Sequence, residues 1–363
     1  MENNYCIIMA GGIGSRFWPM STPQKPKQFL DVLGIGKSLL QMTFERLTKI
    51  APETQIYIMT NEGYVDLVKE QLPMISRSQI LTEPKRKNTA PCIAYAASKI
   101  HSINPNATLI VAPSDHLILK EDKFTEIIQI AIKTANQNNR LVTLGIKPTR
   151  PDTGYGYIEF TEKGDILGGQ VREVKHFTEK PDREVAELFL KSGNYYWNSG
   201  IFVWTAKTIL DALKKFKPDL LDLFSEENGF YNTSEEQSSI DHCFEVCEDI
   251  SIDFAVMENA KNVDVVLANF DWSDLGTWGS VYTHLDKDYN GNAVIGDNVY
   301  MINSSNCIVN LPNSKLALIE GLNNHIVVES DNMLMILHKN DEQNLKKYMS
   351  PMEESSPSFF KKD

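Results

Sequence analysis

Met9-Ala10-Gly11-Gly12-Ile13-Gly14-Ser15-Arg16-Phe17-Trp18-Pro19, closed by Pro26-Lys27-Gln28-Phe29, is the stretch on which the reading of this chain turns. The apolar run from Tyr5 to Met9 precedes it and predicts a strand. Glycines at 11, 12 and 14 let the backbone bend tightly and approach a ligand with no side chains in the way. Successive N–H groups of such a loop can converge on an anion. Arg16 and Lys27 add fixed positive charge on either side. A loop of this kind, at the end of the first strand of an α/β sheet, suits a nucleoside triphosphate. An ordinary glycine-rich turn has the same composition, so the loop alone does not decide.

Two commoner phosphate loops are excluded. The dinucleotide pattern G-x-G-x-x-G fits Gly12 and Gly14 but meets Phe17 at its third glycine. The Walker A pattern would end on Gly36-Lys37-Ser38, but its first position is Asp31. Ser38-Leu39-Leu40-Gln41 reads instead as a helix start, with Ser38 as N-cap and Gln41 closing a capping box.

The chain has 363 residues, of which 42% are hydrophobic, enough for a substantial core. Its net charge of −12 argues against a nucleic-acid partner, although a local basic pocket remains compatible with it. Met1-Glu2-Asn3-Asn4 lacks the basic start of a secretory signal, and no run approaches the roughly 18 apolar residues of a membrane span. The five cysteines are odd in number and scattered; Cys6 and Cys92 read as core residues, and Cys243 and Cys247 as helix-surface residues. These features predict a reduced, cytoplasmic protein with no membrane association.

Residues 1 to about 145 alternate strand and helix, which predicts a Rossmann-like α/β fold with a mixed, mainly parallel sheet. In such sheets ligands lie beyond the carboxyl ends of the strands. Those ends carry the glycine loop, then Glu83-Pro84, then Pro113-Ser114-Asp115-His116, and they are expected to face one crevice. Asn88-Thr89 reads as the cap of a buried helix from Ala90 to Ile100. Further strands are expected at Tyr157 to Phe160, Val171 to Phe177, Ile201 to Trp204 and Val263 to Leu267, with helices at 206–224 and 249–260. From about Asp286, short β-rich runs separated by Asn, Gly and Ser suggest a small all-β appendage, either a short β-helix or an open sandwich. The expected division is a domain at 1–285, a small β-rich domain at 286–345 and a tail at 346–363 that frays from Ser350.

Several residues carry candidate chemistry. Asp115, at a strand end, reads either as a Mg²⁺ ligand or as a turn aspartate. Asp274, in a Trp-rich loop, could complete such a metal site or simply hold its turn. Lys180 could neutralise a phosphate while Glu179 accepts from sugar hydroxyls; a surface ion pair is the alternative. Asn198 can offer its amide to a hydroxyl or serve a turn, and Tyr155 and Tyr157 either wall a pocket or pack in the core. His116 is given a structural role, since phosphoryl chemistry proceeds by positioning and charge neutralisation.

The opening motif resembles the signature of the sugar-nucleotide pyrophosphorylases. Glu83-Pro84…Asn88-Thr89-Ala90-Pro91, Pro113-Ser114-Asp115-His116 and Thr153-Gly154-Tyr155-Gly156-Tyr157 narrow the resemblance, as do Glu179-Lys180-Pro181, Trp197-Asn198-Ser199-Gly200 and Trp272-Ser273-Asp274. Together they closely resemble the mannose-1-phosphate guanylyltransferase family, in the expected order over roughly residues 5 to 340. The only departure in the glycine loop is Ser15 where threonine is frequent. Some bacterial relatives continue into a cupin-like isomerase domain; the chain length leads to the expectation of a single activity.

The resemblance implies that GTP lies over Ala10, Gly11, Gly12, Gly14 and Ser15, with Asn88 and Ser114 also on the nucleotide and Arg16 and Lys27 on its phosphates. It implies attack by mannose 1-phosphate on the α-phosphorus, with Mg²⁺ held by Asp115 and Asp274. Lys180 then holds the sugar phosphate, while Gly154, Glu179 and Asn198 line the mannose pocket. Arg16, Lys27, Asp115 and Lys180 are the expected catalytic set, and a homodimer is the expected assembly. Glu83 is a candidate reader of guanine, because a carboxylate can accept from both N1–H and the exocyclic amine. Two alternatives stay open: a pyrophosphorylase for another sugar and base, or a non-catalytic sugar-nucleotide sensor on the same fold.

Overall fold

The computed structural model describes residues 2–12, 14–137, 139–161 and 170–356. They form two compact units, both assembled from discontinuous segments. The first comprises Met1–Gly11, Thr43–Ser114 and Ile118–Trp272, and the second Gly12–Met42, Asp115–Leu117 and Ser273–Asp363.

The first unit is built on one nine-stranded sheet. Its strands are β1 (Asn4–Met9), β2 (Ile56–Asn61), β3 (Ile80–Glu83) and β4 (Thr108–Pro113), and, beyond the two-residue β5 (Leu117–Ile118), β6 (Leu141–Ile146), β7 (Tyr157–Phe160), β8 (Val171–Thr178), β9 (Tyr195–Thr205) and β10 (Val263–Ala268). The spatial order is β3-β2-β1-β4-β9-β6-β10-β8-β7. The β3-β2-β1-β4 half is parallel, as the strand–helix alternation predicts. Strand β1 is central and loses solvent on both faces, so Cys6, Ile7 and Ile8 are fully buried and the run is apolar throughout rather than alternating.

Helices α1 (Leu39–Thr48), α2 (Val65–Gln71), α3 (Thr89–Ile103) and α4 (Glu121–Ala135) connect this half. The capping box before α1 is present: Ser38 N–H donates to Gln41 Oε1 at 2.9 Å and Gln41 N–H to Ser38 Oγ at 3.2 Å. Helix α3 is buried from Ala90 to Ile100, and Asn88 caps it by accepting from Thr89 N–H. To do so Asn88 adopts a left-handed φ of 66°, which an Asx side chain tolerates better than most.

The other half departs from simple alternation. Strand β9 runs antiparallel between β4 and β6 and is eleven residues long, so the Tyr195 to Gly200 segment, expected as a lead-in, is itself strand. Asn198, Ser199 and Gly200 look like turn residues, yet Asn198 lies opposite Gly145, where the register shifts to accommodate them. After α5 (Arg183–Ser192), the expected single helix at 206–224 is two, α6 (Ala206–Phe216) and α7 (Pro218–Phe224). Pro218 has no N–H to continue the ladder and starts the second helix at its permissive first turn. In α8 (Glu236–Val246) Cys243 is buried, and Cys247 just beyond it is buried too, which corrects their expected surface placement. Their side chains face the core that Tyr95, Phe224 and Phe244 share. The helix expected at 249–260 is a short π-helical turn, Asp253–Met257.

In the second unit, β11 (Trp272–Ser273) brings the chain in and α9 (Trp278–His284) follows. Then come β12 (Ala293–Ile295), β13 (Val299–Ile302), β14 (Ile308–Asn310), β15 (Ala317–Glu320), β16 (His325–Ser330) and β17 (Met333–His338), and finally α10 (Leu345–Ser355). β12, β14 and β16 pair in parallel, as do β13 and β15, so successive turns of chain stack in the manner of a short β-helix. β17 closes the stack antiparallel to β16. The expected fraying from Ser350 does not occur before Ser355: Leu345 and Met349 are buried in the core of this unit and anchor α10. Residues 357–363 of that expected tail lie outside the described residues.

The segment after Gly11 belongs to this second unit because its large side chains share that core. Phe17, Trp18, Leu30 and Val32 pack with Leu275 and Trp278, and the Phe17 and Trp278 rings lie 5.1 Å apart.

Candidate functional site

Within the first unit, the carboxyl edge of the parallel strands gathers four of the expected nucleotide residues, Ala10, Gly11, Glu83 and Ser114. Ala10 N–H donates to Met59 O at 2.7 Å and Thr60 Oγ1 donates to Ala10 O at 3.0 Å, so the exit of β1 is fixed before the glycines begin. Ser114, buried, donates its N–H to Met9 O at 3.0 Å and so leaves β4 beside that exit. Glu83, 4% exposed, ends β3, and its Oε1 lies where a Cβ on residue 11 would sit, so Gly11 is required for the carboxylate to be there. Cys92 Sγ donates to Glu83 Oε2 at 3.1 Å. Burial raises the Glu83 carboxyl above its ordinary range, opposed by the Cys92 thiol and the nearby Arg86 guanidinium. Arg86 ties the edge together, donating to Gly11 O at 3.1 Å and to Tyr64 OH at 2.7 Å. Asn88 stays exposed at its cap.

A second cluster in the same unit gathers three of the four expected sugar residues, Glu179, Lys180 and Asn198. Glu179 and Lys180 follow β8, and Lys180 Nζ lies 2.8 Å from Glu179 Oε1. Lys180 adopts a left-handed φ of 47°, a conformation costly for a long side chain and concentrated at functional positions. Asn198, on β9, donates its N–H to Gly156 O at 2.8 Å. A Cβ on Gly156 would meet Glu179 Oε2 at 2.5 Å and Asn198 Cβ at 3.4 Å, so this glycine makes room for the Glu179 carboxylate. Gly154 stands apart, exposed, with its N–H bonded to Asp152 Oδ1 at 2.9 Å. Tyr155 packs edge-on with Trp197 and Trp272 against a small core cluster in which Tyr157 is fully buried beside Phe189, so both tyrosines serve packing.

Sequence reasoning missed two carboxylates here. Asp253 Oδ1 accepts from Asn198 Nδ2 at 3.0 Å, and Glu258 Oε1 accepts from Glu179 N–H at 3.3 Å. Both lie in the segment expected as a plain helix at 249–260; the Ser-Ile-Asp run at 251–253 was the one available signal, as a polar interruption near its start.

The second unit holds the charged cluster. Lys27, 4% exposed, directs its ammonium 2.9 Å from Asp115 Oδ2 and 2.6 Å from the carbonyl oxygen of Asp274, over the Phe17 ring. Gly14, at φ 54°, lets the loop pass against Lys27: a Cβ there would collide with Lys27 Cβ. Gly12 O accepts from Gln28 Nε2 at 2.9 Å, which ties the glycine loop to the Lys27 segment. Burial alone would raise the Asp115 carboxyl, but Lys27 and His116 together hold it below the ordinary carboxylate range. Asp274 Oδ1 accepts from Gly276 N–H at 3.1 Å. Ser15 opens the short helical turn Ser15–Phe17, which exposes Arg16. Gly14, Arg16, Phe17, Lys27, Asp115, His116, Asp274 and Gly276 line one cavity of about 310 Å³.

Two carboxylates opening on one cavity, beside two cations, match how Mg²⁺ is held with phosphates: by one or two protein carboxylates, with the remaining oxygens supplied by substrate and water. Among the described residues no group of three or more His, Cys, Asp or Glu could hold a metal ion by itself. Among the described residues no helix is long and apolar enough to cross a membrane.

The chain is similar to known proteins over most of its length. Residues 5–290 match the nucleotidyl transferase family. The chain is 37% identical over 362 residues to a mannose-1-phosphate guanylyltransferase of Klebsiella pneumoniae, covering 98% of this chain and 75% of that protein. It is 38% identical over 357 residues to the alginate biosynthesis protein AlgA of Pseudomonas fluorescens, covering 97% and 72%. The crystal structure of mannose-1-phosphate geranyltransferase from Thermus thermophilus superposes with a TM-score of 0.85 and 26% identity, covering 97% of this chain and 99% of that one. The chain is an enzyme that belongs to the nucleotidyl transferase family, in the group that holds the mannose-1-phosphate guanylyltransferases.

Proposed function

We propose that this enzyme transfers the GMP unit of GTP to mannose 1-phosphate, giving GDP-mannose and pyrophosphate. A phosphate oxygen of mannose 1-phosphate forms a bond to the α-phosphorus as the bond from that phosphorus to the β-phosphate bridging oxygen breaks. The attacking oxygen is already anionic, so no general base is required. Catalysis then depends on positioning and on neutralising charge.

The observation that carries this reading is the buried Lys27 ammonium held against Asp115 in a cavity that Arg16 and Asp274 also line. A buried lysine with a compact point charge suits a phosphate oxygen. Lys27 and Arg16 take the triphosphate; Gly11, Gly12, Gly14 and Ser15 offer backbone N–H groups; Ala10, Asn88 and Ser114 support the nucleotide. Asp115 and Asp274 would hold Mg²⁺, which when bound offsets charge on the reacting phosphates. Glu83 accepts from the guanine donors, and adenine lacks that pair. Lys180 takes the sugar phosphate, while Glu179, Asn198 and Gly154 take sugar hydroxyls.

The test is pyrophosphate release with mannose 1-phosphate, Mg²⁺ and each of GTP, ATP, UTP and dTTP in turn. Turnover confined to GTP supports the reading. Turnover with a different sugar 1-phosphate and nucleotide moves the assignment to another pyrophosphorylase, and tight GTP binding without turnover marks a sensor.

The same proposal takes the enzyme to be a cytoplasmic homodimer. The outer face of the β13–β15 sheet supports the dimer, since Tyr300 is 61%, Leu318 68% and neighbouring Leu316 78% exposed. Light scattering on the protein and on Leu318→Asp distinguishes a dimer joined through this face from one joined elsewhere.

A further inference from the structure

We propose that Asp253 is a positioning residue of the sugar cluster: it fixes the Asn198 amide so that one amide hydrogen is left to read a sugar hydroxyl. The inference rests on the sugar reading of Glu179 and Asn198 given above and goes beyond it by assigning a residue and a donor pattern.

The orientation of the Asn198 amide follows from its partners. Gly200 N–H can only donate, and it points at Asn198 Oδ1 at 3.2 Å. The Thr143 hydroxyl donates to the same oxygen at 2.9 Å. With both carbonyl lone pairs engaged, the Nδ2 side turns to Asp253 Oδ1 at 3.0 Å. An amide nitrogen has two hydrogens, and Asp253 takes one. The amide therefore offers a ligand a donor and no acceptor. Glu179, lodged in the space that Gly156 leaves, offers acceptors. A hydroxyl that accepts from Asn198 and donates to Glu179 satisfies both, and a sugar presents such hydroxyls at fixed stereochemistry.

Asp253 also has a reason to hold a proton. Glu179 and Lys180 face it from the segment after β8, Glu258 from its own helical turn and Asn198 from β9. Burial, reinforced by the Glu179 carboxylate, pushes the Asp253 carboxyl up to about 7. A protonated Asp253 still accepts from Asn198 through one oxygen, and it spares Glu179 a second negative neighbour. The short π-helical turn Asp253–Met257 is where the carboxyl is carried, and such turns recur at functional sites.

The experiment is calorimetric titration of wild type, Asp253→Asn and Asp253→Ala with mannose 1-phosphate and, separately, with GTP. Asp253→Ala is expected to weaken mannose 1-phosphate binding by about 10- to 100-fold, the loss typical of an unmade hydrogen bond in a buried site, with GTP binding within about twofold. Asp253→Asn keeps an acceptor for Asn198 and is expected to stay within about threefold of wild type for both ligands. Equal losses for both ligands, or an Asp253→Asn variant as weak as Asp253→Ala, would overturn the positioning role. A wild type that binds GTP but neither mannose 1-phosphate nor glucose 1-phosphate would instead overturn the sugar reading on which the proposal stands.

Discussion

The Lys27 ammonium and the Asp115 carboxylate are 2.9 Å apart, with the lysine almost wholly buried and the aspartate about one-third exposed. Removing one partner of such a pair costs more than the pair itself contributes, because a desolvated charge is left behind. Lys27→Met is therefore expected to lower stability by about 2 kcal/mol, less than for a fully buried pair because solvent reaches Asp115. It is also expected to lower kcat/KM by roughly 10²- to 10³-fold, as for loss of a charge aimed at the reacting phosphates. Lys27→Met/Asp115→Asn should regain most of the stability and none of the activity. Chemical denaturation and pyrophosphate release measure the two effects, and recovery of activity in the double variant would make the lysine structural.

Lys180 offers the opposite balance. Its ion pair with Glu179 lies at the surface, 62% exposed on the lysine side, and pairs of that kind add little to stability. Lys180→Ala should leave the unfolding midpoint nearly unchanged while raising the KM for mannose 1-phosphate by about 10- to 100-fold, the range for a charge-assisted contact to phosphate. The KM for GTP should hold. A parallel rise in both constants would remove Lys180 from the sugar-phosphate role.

Base selection is expected to depend on Glu83. Its Oε2 accepts from Cys92 and its Oε1 abuts Gly11, so the carboxylate is held in one orientation. Glu83→Gln keeps the shape and substitutes a donor for one acceptor. The prediction is a narrowed preference for GTP over ATP in kcat/KM, with inosine triphosphate, which lacks the exocyclic amine, least affected. Retention of the full wild-type preference by Glu83→Gln sinks the assignment.

Much of this was legible in the chain, and the remainder was not for definable reasons. The apolar β1 run, the glycine loop, the Ser38–Gln41 capping box and the buried α3 all write their structure into local pattern. Strand β9 does not, because Asn198-Ser199-Gly200 has turn composition and becomes strand only through its pairing with β6 and β7. The grouping of residues 12–42 with residues 273–363 is equally non-local: it depends on Phe17 meeting Trp278, and no periodicity reports that. Strand β13 follows Asp297-Asn298, whose turn chemistry masked it. Asp253 escaped notice because its importance comes from its bond to Asn198, a residue on a different element.

Asp253 supplies a pH dependence whose sign can be worked out. Its carboxyl is raised from 3.8 to about 7 in the folded protein, by burial and then by Glu179. Between those values the unfolded chain has lost the proton and the native protein keeps it, so the native state binds more protons and stability falls as pH rises. Asp253→Asn cannot ionise and escapes that loss. The variant and wild type should therefore be equally stable near pH 4 apart from a constant offset. The variant should then gain steadily to a plateau above pH 7. The full shift would correspond to about 4 kcal/mol; with Asp253 half-buried, solvent screening brings the expected gain nearer 2 kcal/mol. Urea unfolding of both proteins at pH 5 and pH 8 measures it. A gain that is flat across this range, or that favours wild type at pH 8, would mean that Asp253 is charged in the native state and that Lys180 compensates it.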